Sequence, residues 1–333
     1  MKQTVSTVLL NPTSEQIAEH VKIFEESSRS NLDVHRVART NLLQCIRNFT
    51  DPFPRMESHG HYLFGEFAVP TSLVDGIDLF VTVQLIADFK QVFLILRTPP
   101  DVELTAESKD FINGLMKIDS GFSTSGEYIV EVISQVVLEL ERNIEEVHKA
   151  VDDDLRAVNS TYFDLKTELL NSLDTKDLYS AASRYRIDIL GVKTSIDETH
   201  RVLNEIATDK IDLKMEDDNR SLQFFPQALE IDVSDLVIRI RHLRSLRDNL
   251  ETTLTITFKK FEKIENAKQT KASHTMTAIA SIMLLPTFIV GLFGQNFHFS
   301  KEIEYHWGWP ISVAVIVIIT FGQIFYFKRK NWL

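Results

Sequence analysis

This chain of 333 residues is poor in cysteine and in the motifs of catalysis. Its single cysteine, Cys45, excludes a disulfide within the chain and a thiolate metal cluster, as expected in a reducing cytosol. There is no glycine-rich phosphate loop, nucleophile elbow or zinc-protease helix, so the sequence supports neither an enzyme nor nucleotide binding. The segment His59-Gly60-His61, with Glu57 and Glu66, is its one histidine cluster, and such a cluster at a strand entry is more often structural than metallic.

Basic residues are fewer than acidic ones, which gives the chain a formal net charge of -11. This excess of carboxylates disfavours nucleic acid as a partner, since the phosphates would repel it. It suits a protein that handles cations, and it suits equally an acidic surface that keeps the protein soluble. The charge therefore does not decide between these two interpretations.

Two long segments, Thr275 to Phe297 and Trp307 to Phe327, contain no charged side chain. Each has the roughly 20 residues that a helix needs to cross a hydrocarbon core of about 30 Å. The sequence therefore predicts two membrane-spanning helices in a lipid bilayer. The alternative is a buried hairpin of a soluble protein, and it would need a large apolar shell that the polar remainder does not offer.

Basic residues flank both spans on the side away from the loop that joins them. Lys268 and Lys271 precede the first span, Lys328-Arg329-Lys330 follow the second, and the loop carries only Lys301 with Glu302 and Glu304. The positive-inside bias places the loop outside and both termini in the cytoplasm of a multi-pass protein of the plasma (inner) membrane.

The remaining residues predict an α+β domain, because β-rich runs and helical runs alternate up to about residue 120. A helix from Thr13 or Ser14, either of which can cap it, runs to about Ser27. The predicted strands are Thr4 to Leu10, Tyr62 to Val69, Leu79 to Ala87 and Gln91 to Arg97.

Helical periodicity begins near Gly126 and recurs from Tyr185 to Ile206, which predicts two long antiparallel helices with acidic outer faces. The run Asp152, Asp153 and Asp154 lies on such a face. It is either a solvated surface or a metal-binding group.

A third helical series continues into the first span, since no proline or glycine occurs between Asp232 and Met283. Helix and span are therefore predicted to form one element on the order of 90 Å long, which either transmits motion or acts as a spacer. The predicted domains are 1–230 (cytoplasmic α/β domain), 231–274 (stalk helix), 275–294 (first span), 295–307 (external loop), 308–328 (second span) and 329–333 (basic tail).

One stripe of the stalk and first span is small or weakly polar except at Met276 and Leu284. Its members are Thr270, Ser273, Met276, Ala280, Leu284, Thr287, Gly291 and Gly294. The stripe can line a water-filled path with the two large residues as apolar constrictions, or it can serve close helix packing in lipid. Two spans cannot enclose a pore, so transport would require a symmetric ring of subunits.

The C-terminal segments resemble the CorA family of divalent-cation channels. The resemblance rests on Leu285 to Phe297 (LPTFIVGLFGQNF), Trp307-Gly308-Trp309-Pro310 and Tyr326 to Leu333 (YFKRKNWL), and more weakly on Pro54-Arg55-Met56-Glu57. It implies a homopentamer with a cytoplasmic funnel of α/β/α sandwich domains, stalk helices that continue as the pore-lining first spans, and an outer ring of second spans.

The family signature Gly-Met-Asn reads Gly294-Gln295-Asn296 here. The resemblance places the Asn296 amide at the pore entrance, where a neutral oxygen can select hydrated Mg²⁺, an ion that dehydrates reluctantly. Gln295 leaves the ion open, with Zn²⁺, Co²⁺ or Ni²⁺ as alternatives, because a related zinc-carrying branch also replaces the methionine. Glu302 and Glu304 are expected to attract cations rather than to ligate them.

The resemblance also implies a regulatory metal site. Counted back along the stalk, Asp235 falls where the family has a carboxylate that senses cytoplasmic magnesium at the subunit interface. A helix N-cap or plain surface role is the alternative, and the partner carboxylate could be Asp75, Asp78 or Asp88.

Three functions follow from the sequence. The first is a passive Mg²⁺ influx channel gated by cytoplasmic divalent ions. The second is a zinc or broad-specificity metal transporter on the same scaffold, possibly proton-coupled. The third is a membrane-anchored signalling or scaffold protein.

Overall fold

The computed structural model describes residues 5–28, 54–59, 62–70, 80–100, 103–118, 121–159, 175–208, 210–211, 213, 223–294 and 308–333. The chain divides into two compact units, one within 1–160 and 176–257, and one that contains 258–333. The division falls inside a helix at 257/258, so the domain boundaries set by sequence at 230 and 274 stay a prediction.

A five-stranded sheet forms the centre of the first unit. Its strands are β1 (Val5–Leu10), β2 (Arg55–Ser58), β3 (Leu63–Pro70), β4 (Phe80–Ala87) and β5 (Gln91–Arg97). They lie in the order β1-β5-β4-β3-β2, with β1 parallel to β5 and the other neighbours antiparallel. Four strands match the sequence prediction to within a residue, whereas β2 was not predicted.

Helices cover both faces of this sheet, since every residue of β3 and β4 is buried. Ile17 and Val21 of α1 (Ser14–Ser28) pack with Phe64, Phe93 and other residues of one face. The helix α3 (Ser125–Asn159) contacts β3 and β5. The predicted α+β sandwich is therefore confirmed.

The remaining helices complete both units. They are α2 (Ala106–Met116), α4 (Thr175–Ala207), α5 (Glu230–Gly294) and α6 (Gly308–Arg329), with a 3-10 turn at Gln227–Leu229 before α5. The helix α2 was not predicted. Thr105 caps it by accepting a hydrogen bond from the backbone N–H of Ser108 at 3.1 Å.

Two sequence predictions about helices are confirmed. Thr13, rather than Ser14, caps α1, because its hydroxyl accepts from the Gln16 N–H while the Gln16 amide oxygen accepts from the Thr13 N–H at 2.9 Å. The helix α5 runs unbroken for 65 residues, through Pro286, and so joins the stalk to the first span as one element.

Candidate functional site

The second unit contains two helices that are long and apolar enough to cross a membrane. One apolar window lies in α5 and the other in α6, and almost none of their apolar surface is buried within the chain. A core helix of a soluble protein would be mostly buried. Their exposure therefore favours a bilayer over the buried-hairpin alternative.

The helix α6 covers one face of the first span. Ala278 on that face is fully buried, and the side-chain amide of Gln323 donates to the backbone carbonyl of Ser281 at 3.2 Å. Phe327 is buried near the end of α6. This contact defines which side of the first span is occupied by its own chain.

The stripe of small and weakly polar residues lies on the other side. Every described member is exposed: Thr270, Ser273, Met276, Ala280, Leu284, Thr287, Gly291 and Gly294. At about 100° per residue, the members after Thr270 up to Gly291 lie between roughly 120° and 180° around the helix from Ala278. A methyl group added at Gly291 or Gly294 would meet no atom within 4 Å. The stripe therefore does not serve packing against the second span of its own chain, and only Leu284, at its edge, borders an open groove beside α6.

The hydroxyl of Thr287 offers a neutral oxygen on this bare face. It donates to the backbone carbonyl of Met283 at 2.7 Å, so its proton is committed within the helix. The oxygen can then accept hydrogen bonds from outside, and the waters of a hydrated cation are donors.

Asp235 lies on an exposed face of α5 between two exposed apolar residues, Ile231 and Ile238. Spacings of four and three residues put all three side chains on one face of the helix. Because α5 begins at Glu230, Asp235 is inside the helix, and the N-cap alternative is wrong. This exposed face of α5 therefore combines a carboxylate with two apolar side chains.

The three candidate partners of Asp235 differ in what the structure says of them. Asp75 and Asp78 lie outside the described residues. Asp88 is buried and accepts from the backbone N–H groups of Lys90 and Gln91 at 2.7 and 2.9 Å, which gives it a role in the β4–β5 turn.

The acidic run on α3 makes local contacts. Asp152 and Asp153 lie 3.7 and 3.6 Å from Arg156, and Asp154 accepts from the hydroxyl of Tyr185. Burial and the Asp154 contact raise the pKa of Tyr185 to about 12. Within the described ranges, no three His, Cys, Asp or Glu side chains come together as a metal site. These contacts favour the solvated-face interpretation.

The described part of the histidine cluster is structural in its contacts. The ring of His59 stacks on Tyr62 with centroids 4.8 Å apart, and its Nε2 lies 3.4 Å from Glu57. Burial and the charge of Glu57 raise the pKa of Tyr62 to about 12. His61 lies outside the described residues.

The loop predicted to form the pore entrance, including Gln295, Asn296, Glu302 and Glu304, also lies outside the described residues. Their roles stay a prediction.

Sequence reasoning missed a clamp between the C-terminal tail and the first span. His274 stacks on Trp332 with centroids 4.2 Å apart, and Trp332 also stacks on Phe327. Asn331 adopts a φ of 56°, and the N–H of Trp332 donates to the carbonyl of Phe327 at 3.0 Å. This left-handed cap turns the tail back onto the helices. Sequence spacing alone could not bring residues 274 and 332 together.

Comparison with known proteins identifies the family and the fold of the chain. The family model described as "CorA-like Mg2+ transporter protein" matches residues 28–329. The magnesium transport protein CorA of Campylobacter jejuni is 22% identical over 98% of this chain and 90% of its own length. The cobalt/magnesium transport protein CorA of Thermotoga maritima is 33% identical, but over only 28% of this chain and 27% of its own length.

The CorA magnesium transporter of Methanocaldococcus jannaschii shares the fold. Its structure aligns with a TM-score of 0.70 over 99% of this chain and 92% of that chain, at 13% identity.

Proposed function

This chain belongs to the family of CorA-like Mg²⁺ transporter proteins, and we propose that it is a membrane channel that admits hydrated divalent cations, foremost Mg²⁺, to the cytoplasm. The observation that carries the proposal is the bare stripe on the first span. It is exposed along its length in a single chain, while α6 occupies another face of the same helix.

The stripe suits a water-filled path. Thr287 offers a hydroxyl oxygen, Gly291 and Gly294 leave room, and Met276 and Leu284 are the large apolar residues at which such a path narrows. Apolar constrictions of this kind gate by dewetting. Neutral oxygens without carboxylates can hold a hydrated ion without trapping it.

One chain contributes one stripe, so the path requires several copies. We propose a homopentamer in which five first spans line the path and five second spans lie outside them. The arrangement is consistent with the position of α6 on the face away from the stripe. Asn296 and Gln295 would then form the external entrance, and Glu302 and Glu304 would raise the local concentration of cations.

We further propose that Asp235 senses cytoplasmic divalent ions between subunits. Its exposed carboxylate, flanked by Ile231 and Ile238, would meet a carboxylate of the neighbouring copy. A divalent ion converts that repulsion into a bridge and holds the ring closed, and loss of the ion releases it.

Reconstituted full-length protein tests the transport proposal. Proteoliposomes loaded with a Mg²⁺-sensitive dye should show Mg²⁺ uptake driven by an inside-negative potential. Replacement of Asn296 by alanine should abolish uptake while the size of the assembly stays unchanged. Absence of any divalent flux would leave the membrane-anchored scaffold as the better explanation.

The same vesicles test the rival ion. Gln295 replaces the family's methionine, and this substitution favours a zinc or broad-specificity transporter as the second candidate. Uptake of Zn²⁺ without Mg²⁺ would favour it, and dependence on a proton gradient would show coupling.

Limited proteolysis tests the sensing role of Asp235. Wild-type protein should become more protease-resistant as Mg²⁺ is added, and Asp235→Ala should need more Mg²⁺ for the same protection. Replacement of Glu262, another exposed carboxylate on α5, by alanine is the control. Equal protection of Asp235→Ala and wild type would refute the role.

A further inference from the structure

The second span carries one carboxamide, Gln323, in an otherwise apolar stretch from Ile311 to Phe327 that contains only Ser312, Thr320 and Tyr326 as further polar side chains. Its Nε2 donates to the carbonyl of Ser281 at 3.2 Å, and this is a contact between the two spans. Its Oε1 is buried and has no hydrogen-bond partner among the described residues. In hydrocarbon a polar group must be satisfied by the protein, so the position of this amide demands an explanation.

The amide meets the first span at a weakened turn. Pro286 lies inside α5 and has no N–H, so the carbonyl of Ile282 lacks the donor that a regular helix supplies. The next carbonyl toward the N-terminus is that of Ser281, which is the one that Gln323 binds. The hydrogen bond between the two spans therefore joins α5 one residue before the carbonyl that lacks its helical partner.

An open groove of about 510 Å³ lies beside this contact, lined by Leu284, Leu285 and Gly322 as well as by Ser281 and Gln323. A methyl group added at Gly322 would meet no atom within 4 Å. The hydrogen bond is therefore a specific polar contact between the spans at the border of an open groove.

We propose that Gln323 is a positioning residue that clasps the turn from Ser281 to Pro286 and fixes the direction of the first span beyond it. Leu284 lies within this turn and Thr287 follows it, so the clasp sets where both residues of the stripe point. The effect on conduction rests on the proposed function, whereas the clasp itself does not.

Amide hydrogen exchange of the full-length protein in lipid nanodiscs tests the clasp. Gln323→Met keeps the size of the side chain and removes the donor. Interhelical hydrogen bonds in membranes are worth about 0.6 kcal/mol on average, which corresponds to about threefold in an opening equilibrium. Exchange of the amides of Leu285 and of residues 287 to 290 should therefore rise about threefold. Ile318→Met, at an exposed position roughly 140° around α6 from Gln323, should leave it unchanged.

A double-mutant cycle with Pro286→Ala separates the clasp from general loosening. Alanine restores the N–H to the Ile282 carbonyl, so Gln323→Met in that background should change exchange by less than about 1.5-fold. Unchanged exchange in Gln323→Met, or an equal rise with and without Pro286, would overturn the proposal. Should Gln323→Met fail to assemble, Gln323→Asn makes the same test, because its shorter side chain withdraws the donor from Ser281.

Flux through the same variants shows whether the clasp matters for conduction. Maximal Mg²⁺ uptake by Gln323→Met should fall at least threefold, because Leu284 and Thr287 lose alignment, while the half-saturating Mg²⁺ concentration stays within twofold. A change in half-saturation alone would contradict positioning of the path. If wild type conducts no divalent ion, the proposed function fails, but the exchange experiment still shows whether Gln323 stabilises the turn from Ser281 to Pro286.

Discussion

Replacement of Arg247 by methionine should destabilise the first compact unit more than the loss of an exposed charge would. Arg247 on α5 is a buried guanidinium, with a side chain only 3% exposed. Its Nη1 lies 2.9 Å from Asp197 of α4, and it also donates to Asp248 at 2.6 Å. Burial opposes its charge, but the hydrogen bonds to Asp248 and Asp197 outweigh burial and raise the pKa of Arg247.

The magnitude follows from which of these contacts joins two elements. Asp248 is the next residue of the same helix, so α4 and α5 are joined by the bond to Asp197 and by a longer hydrogen bond from Arg247 to the carbonyl of Lys193 at 3.4 Å. A hydrogen bond between charged groups contributes about 1.5–3 kcal/mol. In the variant, Asp197 still lies 3.0 Å from Arg244, so its carboxylate retains a charged partner. We therefore expect a loss of about 2–3 kcal/mol, or about 5–10 °C in melting temperature.

Thermal unfolding of the full-length protein in detergent, followed by intrinsic fluorescence, measures this loss. Arg239→Met is the matched control, because Arg239 lies on α5 like Arg247 and pairs with Glu141 of α3, but its side chain is 39% exposed. Solvent screening limits that pair to below about 1 kcal/mol, or roughly 2–4 °C. The reasoning is refuted if Arg247→Met lowers the melting temperature no more than Arg239→Met does.

Two further predictions concern a buried carboxyl group and the exposed stripe. Burial raises the pKa of Glu139 above its ordinary value of 4.5 against the pull of Arg142, so the folded state binds this proton more readily than the unfolded state. The stability that this proton contributes is present below about pH 4.5 and is lost as pH rises through the pKa of the folded state. The melting temperature of Glu139→Gln should therefore rise relative to that of wild type from pH 4.5 towards neutrality. A difference in melting temperature that stays constant with pH would contradict this prediction. Leu284→Ala should change Mg²⁺ flux at least threefold, because Leu284 belongs to the stripe. Ile318→Ala should not change the flux, although Leu284 and Ile318 are 71% and 70% exposed in the chain. Equal flux in both variants would argue against the stripe as the path.

The elements that were predicted well depend on local runs of sequence. The strands β3, β4 and β5 and the two apolar spans are recognisable because each is a mostly apolar segment bounded by turn residues or charges. The helix α2 was missed, because its eleven residues mix polar and apolar types and the burial of Phe111, Ile112 and Leu115 is explained only by what lies against them. The strand β2 has four residues and was read as part of a family motif.

In the candidate site, too, the sequence predicted what neighbouring residues define and not what distant residues cover. The stripe from Thr270 to Gly294 was predicted from helical spacing, but spacing could not say whether it packed against α6. The neighbours of Asp235 are likewise close in sequence, yet their exposure is a property of the folded unit. Gln323 stands out in sequence as a lone amide in an apolar span, although its partner at Ser281 is 42 residues away.

The amino-acid sequence by itself determined that the chain has two apolar spans, an α+β domain and one continuous helix between them. These features follow from hydrophobic periodicity and from the absence of helix breakers over tens of consecutive residues. Only the tertiary structure decided which face of the first span is covered, which carboxylates are held in turns, and where the second span ties to the proline turn. Those answers depend on contacts between residues far apart in the chain, and a local pattern carries no information about which distant surface covers it.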